Sequence, residues 1–323
     1  MCILATKGSR MRSTAVILRE PESLALAELE LREPGADDVV VETEWSGIST
    51  GTERLLWAGE MPAFPGLGYP LVPGYESVGR VVEGHGAGSA LVGQRVFVPG
   101  SHSFPEVRSL FGATARHLVC PASRVLAVDT GLAEKGTLLA LAATAYHVVT
   151  SGGTKAPQRI VGHGVLGRLI ARIVIALDYA PPVVWERDVS RQGGGEGYEV
   201  CDPSKGIGQS FDVICDASGD AALLDALISR LSPGGEIVLA GFYRERLSFA
   251  FPPAFMKEAR LRVAAEWKPS DLAAVYRLVE DGQLSLDGLI THQRPAMQAA
   301  QAYRVAFEDK SCLKMLLNWS DAP

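Results

Sequence analysis

The sequence predicts an α/β protein in two domains, a compact β-rich domain followed by a doubly wound parallel sheet. Three observations point there. The first part of the chain is a series of short strand-like runs broken by Gly and Pro. The second part alternates strands with helices, and its strands are continuous apolar runs, the pattern of a parallel sheet covered on both faces. A chain of 323 residues also carries an ordinary expectation of about two domains.

Taken in order, residues 1–12 read as a disordered N-terminal extension. MCILATKGSRMR holds only a short apolar stretch, Cys2 to Ala5, too little for a signal peptide. Residues 13–130 contain the runs TAVIL, LALAELEL, DVVVETEW, ESVGRVVE, QRVFV and ARHLV, whose spacing and turn punctuation predict a barrel or sandwich. The loop from Trp57 to Pro73 is long enough for a functional role. Its Trp57, Met61, Phe64 and Tyr69 either pack it onto its own domain or offer a flat apolar face to a ligand. Residues 131–267 open with an Ala- and Leu-rich helix over Leu132–Thr150. They continue through RIVGHG, a helix from Val165, PPVVWE, YEVCD, FDVICDASG, a helix over Ala221–Leu231, GGEIVLAGF and RLRVAAEW. Residues 268–323 add two helices and the strands GLITHQ and CLKMLLNW, which break the alternation and are expected to return to the first domain.

Composition narrows the function class. Hydrophobic residues are 47% and charged residues 21%, an ordinary globular balance. A net charge of -6 with interspersed signs gives no reason to expect nucleic acid. The five cysteines lack any C-x-x-C pair, which argues against a disulfide framework or zinc knuckle and for a reducing cytoplasm. The longest apolar stretch, Val165 to Leu177, is short and interrupted by Arg168 and Arg172, so no integral membrane segment is expected.

One motif outweighs the others. Gly162, Gly164 and Gly167 form G-x-G-x-x-G between the buried-strand run Arg159–Val161 and a helix, the context of a Rossmann dinucleotide site. A second glycine cluster, Gly84, Gly86 and Gly88, repeats the GHG triplet, but SALVGQRVFV after it reads as a turn and a strand. No helix N-terminus is offered there to a phosphate. In the favoured loop, His163, Val165 and Leu166 are expected to bind the cofactor together with the glycines. Glu186 ends the next strand, 24 residues after Gly162, where a carboxylate accepts from the adenosine ribose hydroxyls and repels a 2′-phosphate. This favours NAD over NADP, with Arg187 as the complication, and Ser218 at the end of FDVICDAS is taken as a further contact. The bland alternative is a glycine-rich turn beside a solvated Glu.

WSGISTGTE, PGYESVGRVVE, TAYHVV and the glycine loop occur in the order of the landmarks of the medium-chain dehydrogenase/reductase superfamily, which the chain resembles from about residue 12 to its end. The resemblance implies a GroES-like β-rich domain, a Rossmann domain and a return segment, with a homodimer as a common assembly. Zinc-dependent members carry ligands where this chain has Ser49, Tyr75 and Ala140, and only Glu76 remains. Such a set does not make a tetrahedral site, so the resemblance is to the zinc-free branch and no metal is expected. GISTGTERLLWAGEMPAFPGLGYPLVPGYESVGRVVE, GHGVLGRLIARI and FPPAFMKEARLRVAAEW are similar to members that use NAD to oxidise the 1-hydroxyethyl group of a chlorin late in bacteriochlorophyll a synthesis. A tetrapyrrole substrate is implied by that resemblance alone.

Without a metal to acidify the hydroxyl, a side chain or relay must take its proton. Ser49 or Thr50 is expected to hold the hydroxyl, with Glu76, through Tyr75, as proton sink. The alternative is that Glu76 is a structural carboxylate and Tyr75 a half-buried hydrogen-bonded residue. A carbinol on an aromatic macrocycle delocalises the charge that builds as hydride leaves, which lessens the need for a Lewis acid. His102 is either an axial ligand to a chlorin magnesium or, more simply, a solvated loop residue. Two rival readings stand beside this one, a zinc-free quinone or enoyl reductase using NADPH and a non-catalytic dinucleotide sensor.

Overall fold

The computed structural model describes residues 11–152, 155–206 and 208–322, so all but the last two residues of the expected extension lie outside the described residues. The chain divides into two compact units. One comprises Met1–Thr137, His292–Asp309 and Met315–Pro323; the other comprises Leu138–Thr291 and Lys310–Lys314. These borders differ from those read in the sequence, and the return to the first unit begins at His292 rather than 268.

The first unit begins with β1 (Arg12–Glu20), β2 (Ser23–Glu30), β3 (Asp38–Ile48), helix α1 (Thr52–Ala58), β4 (Leu71–Val72) and β5 (Ser77–Gly84). It continues with β6 (Arg95–Val98), β7 (Arg108–Ser109), β8 (His117–Pro121) and β9 (Leu126–Ala127). The second contains α2 (Leu139–Thr150), β10 (Arg159–Val161), α3 (Val165–Ala176), β11 (Val183–Trp185), β12 (Glu199–Cys201), β13 (Phe211–Asp216) and α4 (Leu224–Ser229). Then follow β14 (Leu231–Leu239), α5 (Phe251–Lys257), β15 (Arg260–Val263) and α6 (Pro269–Glu280). The chain ends in the first unit with β16 (His292–Pro295), α7 (Ala299–Glu308) and β17 (Met315–Asn318).

In the β-rich unit one sheet runs β2-β1-β4-β7. A second runs β16-β17-β3-β5-β6-β9, with β8 on β3. Val39, Val40, Val41, Val81, Val96, Val98 and Leu118 are buried in one core cluster. β17 pairs antiparallel with β3, Met315 opposite Ile48 and Asn318 opposite Trp45, and Trp319 is fully buried, its indole N–H donating to Ser46 Oγ at 2.8 Å. The last strand of the chain is therefore part of the sheet that carries Ser49.

The second unit is a six-stranded sheet of order β12-β11-β10-β13-β14-β15, parallel at every pairing. α6, which the sequence reading assigned to the return segment, belongs to this unit: Asp271 on α6 bonds His147 Nδ1 of α2 at 2.9 Å. The helix expected over Leu132–Thr150 is a 3₁₀ segment to Leu138 and α-helical from Leu139. Among the described residues, no helix is long and apolar enough to cross a membrane.

Candidate active site

The glycine loop connects β10 to α3 as the sequence predicts. Gly162 has φ +97°, a left-handed conformation that costs glycine little. A Cβ on Gly167 would meet the Gly162 carbonyl oxygen at 2.0 Å, so only glycine fits there, whereas a Cβ on Gly164 would meet nothing within 4 Å. Gly167 thus serves packing, and Gly164 leaves open space at the N-terminus of α3, where free N–H groups favour an anion. Val165 is buried and Leu166 half-buried in the first turn. Ser218 lies against Gly162 and bonds Asp216 through both its N–H (2.8 Å) and its hydroxyl (2.6 Å).

Glu186 is fixed by backbone. Its Oε2 accepts from His163 N–H at 3.0 Å and its Oε1 from Asp188 N–H at 2.9 Å. Two N–H donors hold a carboxylate beside the glycine loop. Arg187 is exposed and lies 3.7 Å from Asp220. The second glycine cluster, by contrast, leads through a 3₁₀ turn, Gly86–Leu91, into β6.

Two buried residues behind this loop were not anticipated in role. The His163 ring is fully buried, with Nδ1 2.7 Å from the Arg191 carbonyl and Nε2 3.0 Å from the Tyr198 hydroxyl. Burial pushes its pKa down to about 4, so the ring is neutral: Nδ1–H donates and Nε2 accepts. Arg168 donates to the carbonyls of His163 (3.1 Å), Gly194 (2.9 Å) and Gly193 (2.8 Å). Together they clamp the glycine loop to residues 186–198, which connect β11 to β12 without an α-helix.

In the β-rich unit, Ser49 follows β3 and Tyr75 precedes β5. The Tyr75 hydroxyl donates to Ser49 Oγ at 2.8 Å, and Thr52 N–H reaches the same oxygen at 3.4 Å. Thr50 is half-buried on the turn before α1. Burial, reinforced by the charges of Glu76 and Glu53, raises the Tyr75 phenol far above its ordinary range. Tyr75 therefore acts as a neutral hydroxyl and not as a tyrosinate base. Glu76 is fully buried beneath Gly47, where a Cβ would sit 2.3 Å from its Oε2. Only a glycine at that position leaves the carboxylate its place.

Sequence reasoning missed Glu53. It is 1% exposed, and its Oε2 accepts from the Tyr303 hydroxyl at 2.6 Å. Nothing local in GISTGTE signals a partner 250 residues away. The aromatic loop mostly packs inward: Met61 is buried, Trp57 and Tyr69 pack against the Leu18, Leu56, Leu71 cluster, and only Phe64 is exposed among the four. His102 is exposed.

The ligand positions implied by the resemblance do not fit zinc. Two of them, Ser49 and Tyr75, are hydroxyls bonded to each other, and Ala140 on α2 is a buried methyl group. Among the described residues no group of three His, Cys, Asp or Glu side chains is placed to hold a metal.

Residues 35–133 match the alcohol dehydrogenase GroES-like domain. The 2-desacetyl-2-hydroxyethyl bacteriochlorophyllide A dehydrogenase of Cereibacter sphaeroides is 54% identical over 96% of this chain and 99% of its own. The chain belongs to this dehydrogenase family. The Rhodobacter capsulatus dehydrogenase of the same name is 52% identical over 97% of this chain and all of its own. A crystal structure described as a short chain alcohol dehydrogenase (rspB) from E. coli CFT073, complexed with NADH, covers 95% of this chain and 99% of its own, with a TM-score of 0.82 at 22% identity. That likeness shows that the two chains share one fold. This dehydrogenase is an oxidoreductase of the alcohol dehydrogenase type.

Proposed function

We propose that this dehydrogenase uses NAD to oxidise the 1-hydroxyethyl group of a bacteriochlorophyllide precursor to acetyl, without zinc. The observation that carries the reading is the near-full-length 54% identity to the Cereibacter sphaeroides enzyme, joined to a glycine loop whose neighbouring carboxylate is fixed in place. Gly162, Gly164, Gly167 and the α3 N-terminus would hold the pyrophosphate and Glu186 the adenosine ribose, with Ser218 alongside. When bound, the nicotinamide supplies the hydride acceptor. The fixed Glu186 charge supports NAD, because a 2′-phosphate there meets like charge, and Arg187 is already beside Asp220.

Ser49 and Tyr75 would hold the substrate hydroxyl. As the carbinol C–H bond breaks, positive charge builds on a carbon conjugated with the macrocycle, and the hydroxyl proton becomes acidic. A neutral hydroxyl pair suits that order of events, since it orients the proton without having to form an alkoxide first, with Glu76, through Tyr75, as the sink that takes the proton. Cys120, Cys201 and Cys215 are buried thiols outside any disulfide, which supports a cytoplasmic setting, and the exposed apolar edge of the second unit's sheet supports a homodimer.

The test is turnover of the hydroxyethyl chlorin with NAD and with NADP, followed by absorbance. The expected result is acetyl product with NAD, and a loss of roughly 100-fold or more in Ser49→Ala and Tyr75→Phe. NADP preference sinks the cofactor assignment, and full turnover in both variants sinks the hydroxyl assignment.

A further inference from the structure

The buried Glu53–Tyr303 pair is not used by the chemistry above. Glu53 closes on the Ser49 turn twice: its N–H donates to the Ser49 carbonyl at 3.0 Å, and its Oε1 lies 3.4 Å from Ser49 N–H. Its other oxygen accepts from Tyr303 at 2.6 Å. Both residues are 1% exposed. Burial and the Glu53 charge hold the Tyr303 phenol far above its ordinary range, so Tyr303 remains a donor.

Tyr303 is placed by α7, whose buried Ala302 and Ala306 allow close packing. Phe307, one turn on, lies 5.7 Å from the Trp57 ring of α1 and 5.7 Å from Tyr303 itself. The helix thus docks on α1 through aromatic contacts and directs a single hydroxyl at Glu53. A buried carboxylate is costly unless it is bonded, and a packing role alone would be served by an apolar residue. The polar pair survives in a place where it touches the turn bearing Ser49.

We infer that Glu53, held by Tyr303 of the return segment, is a positioning residue that fixes the Ser49 hydroxyl for the alcohol. This rests on the reading of Ser49 and Tyr75 as the hydroxyl-handling pair. The chain's last helix therefore completes a site laid out some 250 residues earlier, and the Ser49–Tyr75 hydrogen bond depends on it.

The experiment compares full-length Tyr303→Phe, Glu53→Gln, Ser49→Ala and the Ser49→Ala/Tyr303→Phe double variant on NAD and the hydroxyethyl chlorin. Tyr303→Phe is expected to lower kcat roughly 10- to 100-fold, the scale of a small misplacement of a reacting group. The KM for NAD stays close to wild type, the melting temperature falls because Glu53 loses a buried donor, and the double variant is no slower than Ser49→Ala alone. Wild-type kcat in Tyr303→Phe, or losses that multiply in the double variant, overturn the proposal while leaving the Ser49 reading intact. Wild-type turnover in Ser49→Ala removes that reading and the proposal with it. Should Tyr303→Phe unfold, the isosteric Glu53→Gln decides: lowered kcat in a folded protein supports the proposal and unchanged kcat overturns it.

Discussion

At the scale of the residue, what the sequence makes legible is the backbone requirement, and what it hides is protonation. The tight turn at Gly162, the close helix at Gly167 and the carboxylate after β11 at Glu186 leave a fixed pattern in the spacing. His163 carries no such mark. Its partners come from the Arg191 carbonyl and Tyr198, brought together only by the fold. A ring whose folded pKa is about 4 against 6.5 when free takes its proton more readily unfolded. Its contribution is therefore complete above pH 6.5 and is lost as pH falls from 6.5 towards 4, in total about 3 kcal/mol. His163→Gln is expected to be less stable than wild type at pH 7, and the gap should narrow through that window. Urea midpoints measured from pH 7.5 to 4.5 check this, and parallel curves for the two proteins defeat it.

At the scale of the element, the strands and their parallel order follow from apolar runs, while the connection from β11 to β12 does not. A parallel crossover commonly carries a helix; here thirteen residues, 186–198, make it with three glycines in a row. Arg168 and Arg172 look in sequence like polar interruptions of an apolar helix. The structure buries both, because the crossover and the segment near Ser285 turn carbonyls towards their guanidiniums. The two glycines that open α3 then separate folding from binding. Gly167→Ala places a methyl 2.0 Å from a backbone oxygen and should lower the melting temperature with or without NAD. Gly164→Ala meets open space and has an allowed backbone, so the fold should survive while NAD affinity falls roughly 10-fold or more. Calorimetric titration beside thermal melts separates the two. A Gly164→Ala protein that binds NAD normally removes the pyrophosphate from that turn.

At the scale of the molecule, a return segment was legible from the broken α/β alternation, but not its extent. α6 follows the same helical pattern as α7, and only packing decides that one joins α2 and the other α1. The Rossmann sheet also ends on a strand whose outer edge no described strand covers. β15 is terminal in the sheet. Val263 on it is 74% exposed, and Phe255 and Met256 of the preceding α5 are 66% and 75% exposed. An edge with unpaired N–H and C=O groups beside large apolar side chains invites another chain. A second copy added by two-fold symmetry, each β15 antiparallel to its mate, would close the edge and leave none for further addition. The protein is thus expected to sediment at twice its 34.4 kDa. Val263→Lys, which adds a third cation to a strand that already carries Arg260 and Arg262, should sediment as a monomer that still binds NAD. Sedimentation equilibrium at micromolar concentration decides it: a wild-type monomer, or a Val263→Lys dimer, rules out pairing through this edge.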